Sequence, residues 1–146
     1  MRILAVDPGG TTGLVYVEWD GSSDPKLLDF AQVDSEDMPT WMYGCFKFND
    51  IGLVVCERFT VSMETVQKSR QPDAMYNIGG IGYLTKLFHI PLRLQNRGDA
   101  KTAYPNERIA GYKVKGDHAR DALRHALLAT HSQEVYRMCT DTDTDP

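Results

Sequence analysis

What this chain lacks narrows its class before any motif is considered. No apolar stretch approaches the roughly 20 residues that a membrane-crossing helix needs, so no membrane partner is expected. Cysteine is scarce. Cys45, Cys56 and Cys139 are odd in number and lack metal-site spacing, which argues against a disulfide scaffold and fits small buried thiols in a reducing compartment. Repeats and a second domain are missing too; 146 residues suit one domain with a real core. Because MRILAV runs straight into the first motif, a signal peptide has no room, and a cytoplasmic location is expected. An excess of positive charge is also absent. Sixteen Lys and Arg face 20 Asp and Glu, and the net charge of −4 alone argues against a polyanionic ligand. The distribution argues otherwise, since residues 61–130 hold eleven basic and six acidic side chains while both flanks are acidic. Local basic surface matters more for phosphate binding than whole-chain charge.

What is present reads as an α/β domain. RILAVD at 2–7, LVYVEWD at 14–20 and KLLDFAQV at 26–33 suggest three antiparallel strands joined by the turns PGGTTG and GSSDP. A helix is expected from a cap at Asp34 or Ser35 through Trp41, Cys45 and Phe46. GLVVCE at 52–57 is a continuous apolar run, as in a central strand buried on both faces. The polar stretch FTVSMETVQKSRQPD is expected as a loop, residues 73–89 as a glycine-containing helix, and PLRLQ as a further strand. Residues 117–136 carry the clearest helical periodicity. The order βββαβαβα predicts a mixed five-stranded sheet flanked by helices over residues 1–137, with 138–146 as a disordered acidic tail.

Three acidic motifs carry the chemistry. Asp7 ends the first apolar run, Glu57 ends the fourth strand, and Asp117, His118 and Asp121 open the last long helix in GDHARDALRHALL. A charge at the end of a core strand is costly to bury without compensation. Several such carboxylates meeting at one point would need a cation between them, which points to a divalent-metal site and phosphoryl chemistry. The glycines after Asp7 suit a sharp turn that keeps side chains away from a phosphate. Asp117 suits the helix cap by position. The i, i+3 and i, i+4 spacings leave His118 and Asp117 both able to share a face with Asp121, while His125 and His131 read as structural.

VDPGGTTG, VVCE and HARDALRHAL, in this order and at compatible spacing from Ile3 to about Thr130, resemble the RuvC-type Holliday junction resolvases, most closely the small bacteriophage versions. The resemblance implies an RNase H-like fold and a hydrolase: a crossover junction endodeoxyribonuclease. It implies two Mg2+ per active site, for which Mn2+ would substitute, held by Asp7, Glu57 and Asp121. His118, at a position where the family carries Asp or His, or the adjacent Asp117, completes the set. A homodimer acting on branched DNA (four-way junctions, forks or flaps) follows, in the cytoplasm of a bacterium or of a phage-infected host. Lys68, Arg70, Arg93, Arg97, Lys101, Arg108, Lys113 and Lys115 are then the candidate phosphate contacts, with Tyr104 and Phe59 as possible stacking groups. Two rivals remain: a non-catalytic branched-DNA-binding protein, and an actin-like ATPase or kinase that would use DPGGTTG as its phosphate loop.

Overall fold

The computed structural model describes residues 1–60 and 71–140. Most of the polar segment expected as a loop, with Lys68 and Arg70 in it, and residues 141–146 of the acidic tail lie outside the described residues. The described elements are β1 (Arg2–Asp7), β2 (Thr11–Glu18), β3 (Lys26–Asp34), α1 (Met38–Phe48), β4 (Leu53–Glu57), α2 (Gln71–Leu87), β5 (Leu92–Gln95), α3 (Arg97–Ala103), α4 (Asn106–Ile109), a 3-10 turn (Ala110–Tyr112), α5 (Asp117–Thr130) and α6 (Gln133–Thr140). The sheet runs β3-β2-β1-β4-β5. The first three strands pair antiparallel, while β1 with β4 and β4 with β5 pair parallel, giving the expected mixed five-stranded sheet.

β1 and β4 sit in the middle, which is why their sequences are apolar without alternation: both faces are covered. Ile3, Ala5, Leu53 and Val55 point toward α5, and Leu4, Val6, Val54 and Cys56 toward α1 and α2. Each fully buried Leu or Ile here contributes about 1.5–3 kcal/mol of transfer free energy. On α5, Ala119, Ala122, Ala126 and Ala129 are completely buried, and these small side chains let the helix lie close to the sheet. Gly13 on β2 deepens that approach, because a Cβ there would collide with the backbone of His118 and Ala119.

Several boundaries depart from expectation for local reasons. β3 runs on to Asp34, the Ser35 hydroxyl faces Asn77, and α1 starts only after Asp37, with Pro39 in its first turn. The last three residues of the expected loop form the start of α2. The long terminal helix is two helices. Thr130 Oγ1 donates to the Leu127 carbonyl, and the backbone at His131 and Ser132 closes i→i−3 bonds, so the first helix ends there. Regular structure then resumes through Thr140, past the boundary expected at 137. No helix among the described residues is long and apolar enough to cross a membrane.

Candidate active site

Strand parity explains how the first two acids meet. Val6 and Cys56 are register partners on the parallel pair β1 and β4, so Asp7 and Glu57 follow side by side at the same sheet edge. Both continue the series Ile3, Ala5 and Leu53, Val55, so both face α5. That helix completes the group from above with His118 and Asp121, one turn apart.

The entry of α5 is built for this placement. Gly116 occupies the cap position at φ +88, a conformation that suits glycine, and a Cβ there would strike the Gln32 side chain. Gln32 Oε1, reaching across from β3, accepts from His118 N at 3.1 Å and from Ala119 N at 3.4 Å. These contacts satisfy first-turn N–H groups that a capping side chain would otherwise serve. Asp117 is therefore not the cap. It is the first helical residue, 87% exposed, ion-paired with Arg120, and that guanidinium holds its carboxyl below the ordinary value. Gly13, the last glycine of PGGTTG, makes room for α5.

Each acid has its own partner. Asp7 is buried, with Oδ2 2.9 Å from His118 Nδ1. Burial and then the charge of Glu57 push its carboxyl up to about 6, with a further push from Asp121, against the lowering effect of His118. Glu57 Oε2 lies 3.1 Å from His125 Nε2. Asp121 Oδ1 takes Arg124 Nη1 at 2.5 Å, and its Oδ2 faces Lys101 Nζ at 3.0 Å and Arg97 Nη2 at 3.3 Å. The acids thus share one rim, but among the described residues no three His, Cys, Asp or Glu side chains stand together as a ready-made metal site. His118 is brought to Asp7; Asp117 points to solvent.

His125, read from the sequence as structural, contacts Glu57 and Gln95, and Arg124, like Gln95 not singled out from the sequence, contacts Asp121. The only signal was a polar pair, Arg124-His125, inside the otherwise apolar stripe of α5. His131 is structural as expected, bonded to the Tyr104 hydroxyl at 2.6 Å. The basic candidates scatter. Arg97 and Lys101 reach the site, Lys113 and Lys115 are exposed on the approach to α5, Arg93 binds Ser132 and Glu134, and Arg108 lies over the Tyr104 ring. Tyr104 is buried, which removes it as a stacking group, and Phe59 is half-buried.

No protein-family model matches the sequence, and a search of curated proteins also gives no match. Solved structures do match. Thermus thermophilus RuvC in complex with a Holliday junction substrate superposes with a TM-score of 0.75 at 18% identity, over 96% of this chain and 97% of that one. A second structure of T. thermophilus RuvC gives 0.71 at 19% identity, over 97% and 98%. Near-complete mutual coverage at these TM-scores shows that this chain has the RuvC fold.

Proposed function

We propose that the chain is a metal-dependent, structure-selective DNA endonuclease that hydrolyses phosphodiester bonds in four-way junctions or related branched DNA. One observation carries this reading: Asp7, Glu57, Asp121 and His118 line a single rim of a sheet whose fold is RuvC's along its whole length. One of those RuvC structures holds a Holliday junction substrate.

The donor set fits a hard divalent cation. Its ligands are carboxylate oxygens, and the Asp7 carboxyl is raised by burial first and by the charge of Glu57 second, both of which such a cation would offset. Asp7, Glu57 and Asp121 would hold Mg2+, two ions in the full reading, or Mn2+ in its place. Bound there, the metal would polarise the phosphate and lower the pKa of water. The chain's own residues have distinct tasks. Asp7 Oδ2 accepts from His118 Nδ1–H, which fixes the tautomer and leaves Nε2 free to take a proton from the attacking water. His118 is 46% exposed, as a group meeting substrate must be. Lys101 and Arg97 neutralise Asp121 from exposed positions on α3 and can turn to a phosphate instead.

A homodimer belongs to the same reading, and the outward face of α2 supports it. Met75, Tyr76, Tyr83 and Leu87 are exposed there. About a midpoint between Gly79 and Gly80 the face repeats in reverse, Tyr76 with Tyr83 and Asp73 with Lys86. A Cβ at either glycine would meet open space, so a second α2 can approach closely. Antiparallel packing on a two-fold axis sets Asp73 against Lys86 of the partner subunit.

The test is cleavage of a four-way junction, a fork and a linear duplex side by side, with Mg2+ and with chelator. Metal-dependent nicking of the branched substrates, with the duplex spared, is the expected outcome. Junction binding without cutting in Mg2+ or Mn2+ would favour the non-catalytic DNA-binding reading instead.

A further inference from the structure

His125 is nearly sealed from solvent, at 1% side-chain exposure, on a helix where Ala122, Leu123 and Ala126 are completely buried. If that position only filled space, an apolar side chain would do so without the cost of burying an imidazole. Both ring nitrogens are engaged. Nε2 is 3.1 Å from Glu57 Oε2, and Nδ1 is 2.9 Å from the Gln95 side-chain amide. Glu57 and Gln95 are register partners at the ends of β4 and β5, so the ring spans two strand ends from above. An ionised carboxylate only accepts, so the nitrogen facing Glu57 carries the proton, and the Gln95 amide meets Nδ1 with either its oxygen or its NH2.

Asp121 is held in the same manner. Arg124 grips its Oδ1 while itself tied to the Tyr104 carbonyl and to Asn106. On both acids one oxygen is thus fixed by a buried group from adjacent positions of α5.

We infer that His125, keyed by Gln95, is a positioning residue for Glu57: it holds one carboxylate oxygen so that the remaining lone pairs are presented to a divalent cation at the rim. The role rests on the metal reading above. A glutamate left free must give up rotamer entropy each time it binds an ion; here the contact is made in advance.

The test is Mn2+ binding to the DNA-free protein, followed by electron paramagnetic resonance of the free ion, with thermal melts on the same samples. His125→Leu is expected to weaken Mn2+ binding by about 10-fold or more, in the range for groups that orient metal ligands, with its melting temperature unchanged or raised. His125→Gln, whose amide can still donate to Glu57, should recover most of that loss. Wild-type affinity in the Leu variant would overturn the positioning role alone. Failure of the unmodified protein to bind Mn2+ would overturn the metal reading and this role with it. Should His125→Leu not fold, Gln95→Leu at its half-buried strand end replaces it; a several-fold loss is expected there, and unchanged affinity overturns the role.

Discussion

At Asp7 the proposed metal-holding role and stability pull against each other within one side chain. Its carboxyl is raised from 3.8 to about 6, so between those values the folded chain binds a proton that the unfolded chain has released. Stability from this group is full below the lower value and falls as pH rises through the upper one, a loss on the order of 3 kcal/mol for the metal-free protein. Asp7→Asn should therefore raise the melting temperature of metal-free protein by several degrees at about pH 7.5, shrinking to nothing near about pH 4. The same variant should not cut DNA, while binding it as well or better. Melts across pH beside cleavage rates check both halves, and an unchanged melt at neutral pH would deny that burial and the neighbouring charge raise this carboxyl. His118 and Asp117 form a second comparison. His118→Ala should lose cleavage by on the order of 10²-fold or more, as for a general base. Asp117→Ser should keep most activity, because its carboxylate is in solvent with Arg120. The reverse ranking would move the proton-accepting role to Asp117.

At the scale of elements, α2 carries the sharpest expectation. If two copies pair antiparallel about Gly79 and Gly80, Asp73→Lys alone and Lys86→Asp alone each set like charges face to face. Combining them restores opposite charges. Sedimentation should find both single variants shifted toward monomer and the double variant returned toward dimer. Three equal dissociation constants would place the contact elsewhere. The elements also divide by how openly the sequence declares them. β1 and β4 were legible because a central strand writes itself as an unbroken apolar run, and Asp7 and Glu57 because each ends one. The entry to α5 was not legible: its first N–H groups are met by Gln32, 86 positions away, so neighbouring residues carry no trace of the cap. The split of the last helix depends on Thr130 and the His131–Tyr104 contact, which compete with the helix only once the chain is packed.

The whole molecule presents an acidic total and a basic middle, and the fold decides how much of that middle is left without internal partners. Arg93 is spent on Ser132 and Glu134, and Arg108 on Tyr104 and the Ala103 carbonyl. Composition could not have separated these from Lys113 and Lys115, because pairing across the fold is invisible to a charge count. Those two lysines are exposed in the segment that leads into α5, ahead of His118 by a few residues, and neither has an ion pair among the described residues. A phosphate contact releases condensed counterions, so its removal lowers the slope of log K against log salt by roughly one. Lys113→Ala and Lys115→Ala should each do so for junction binding and weaken it at every salt concentration. Arg93→Ala should leave the slope alone and instead lower the melting temperature, since it breaks the tie between β5 and α6. Filter-binding titrations at several salt concentrations decide the matter. A slope that falls with Arg93 but not with the two lysines would put the DNA on the face of β5 and α6, away from the rim where Asp7 and His118 meet.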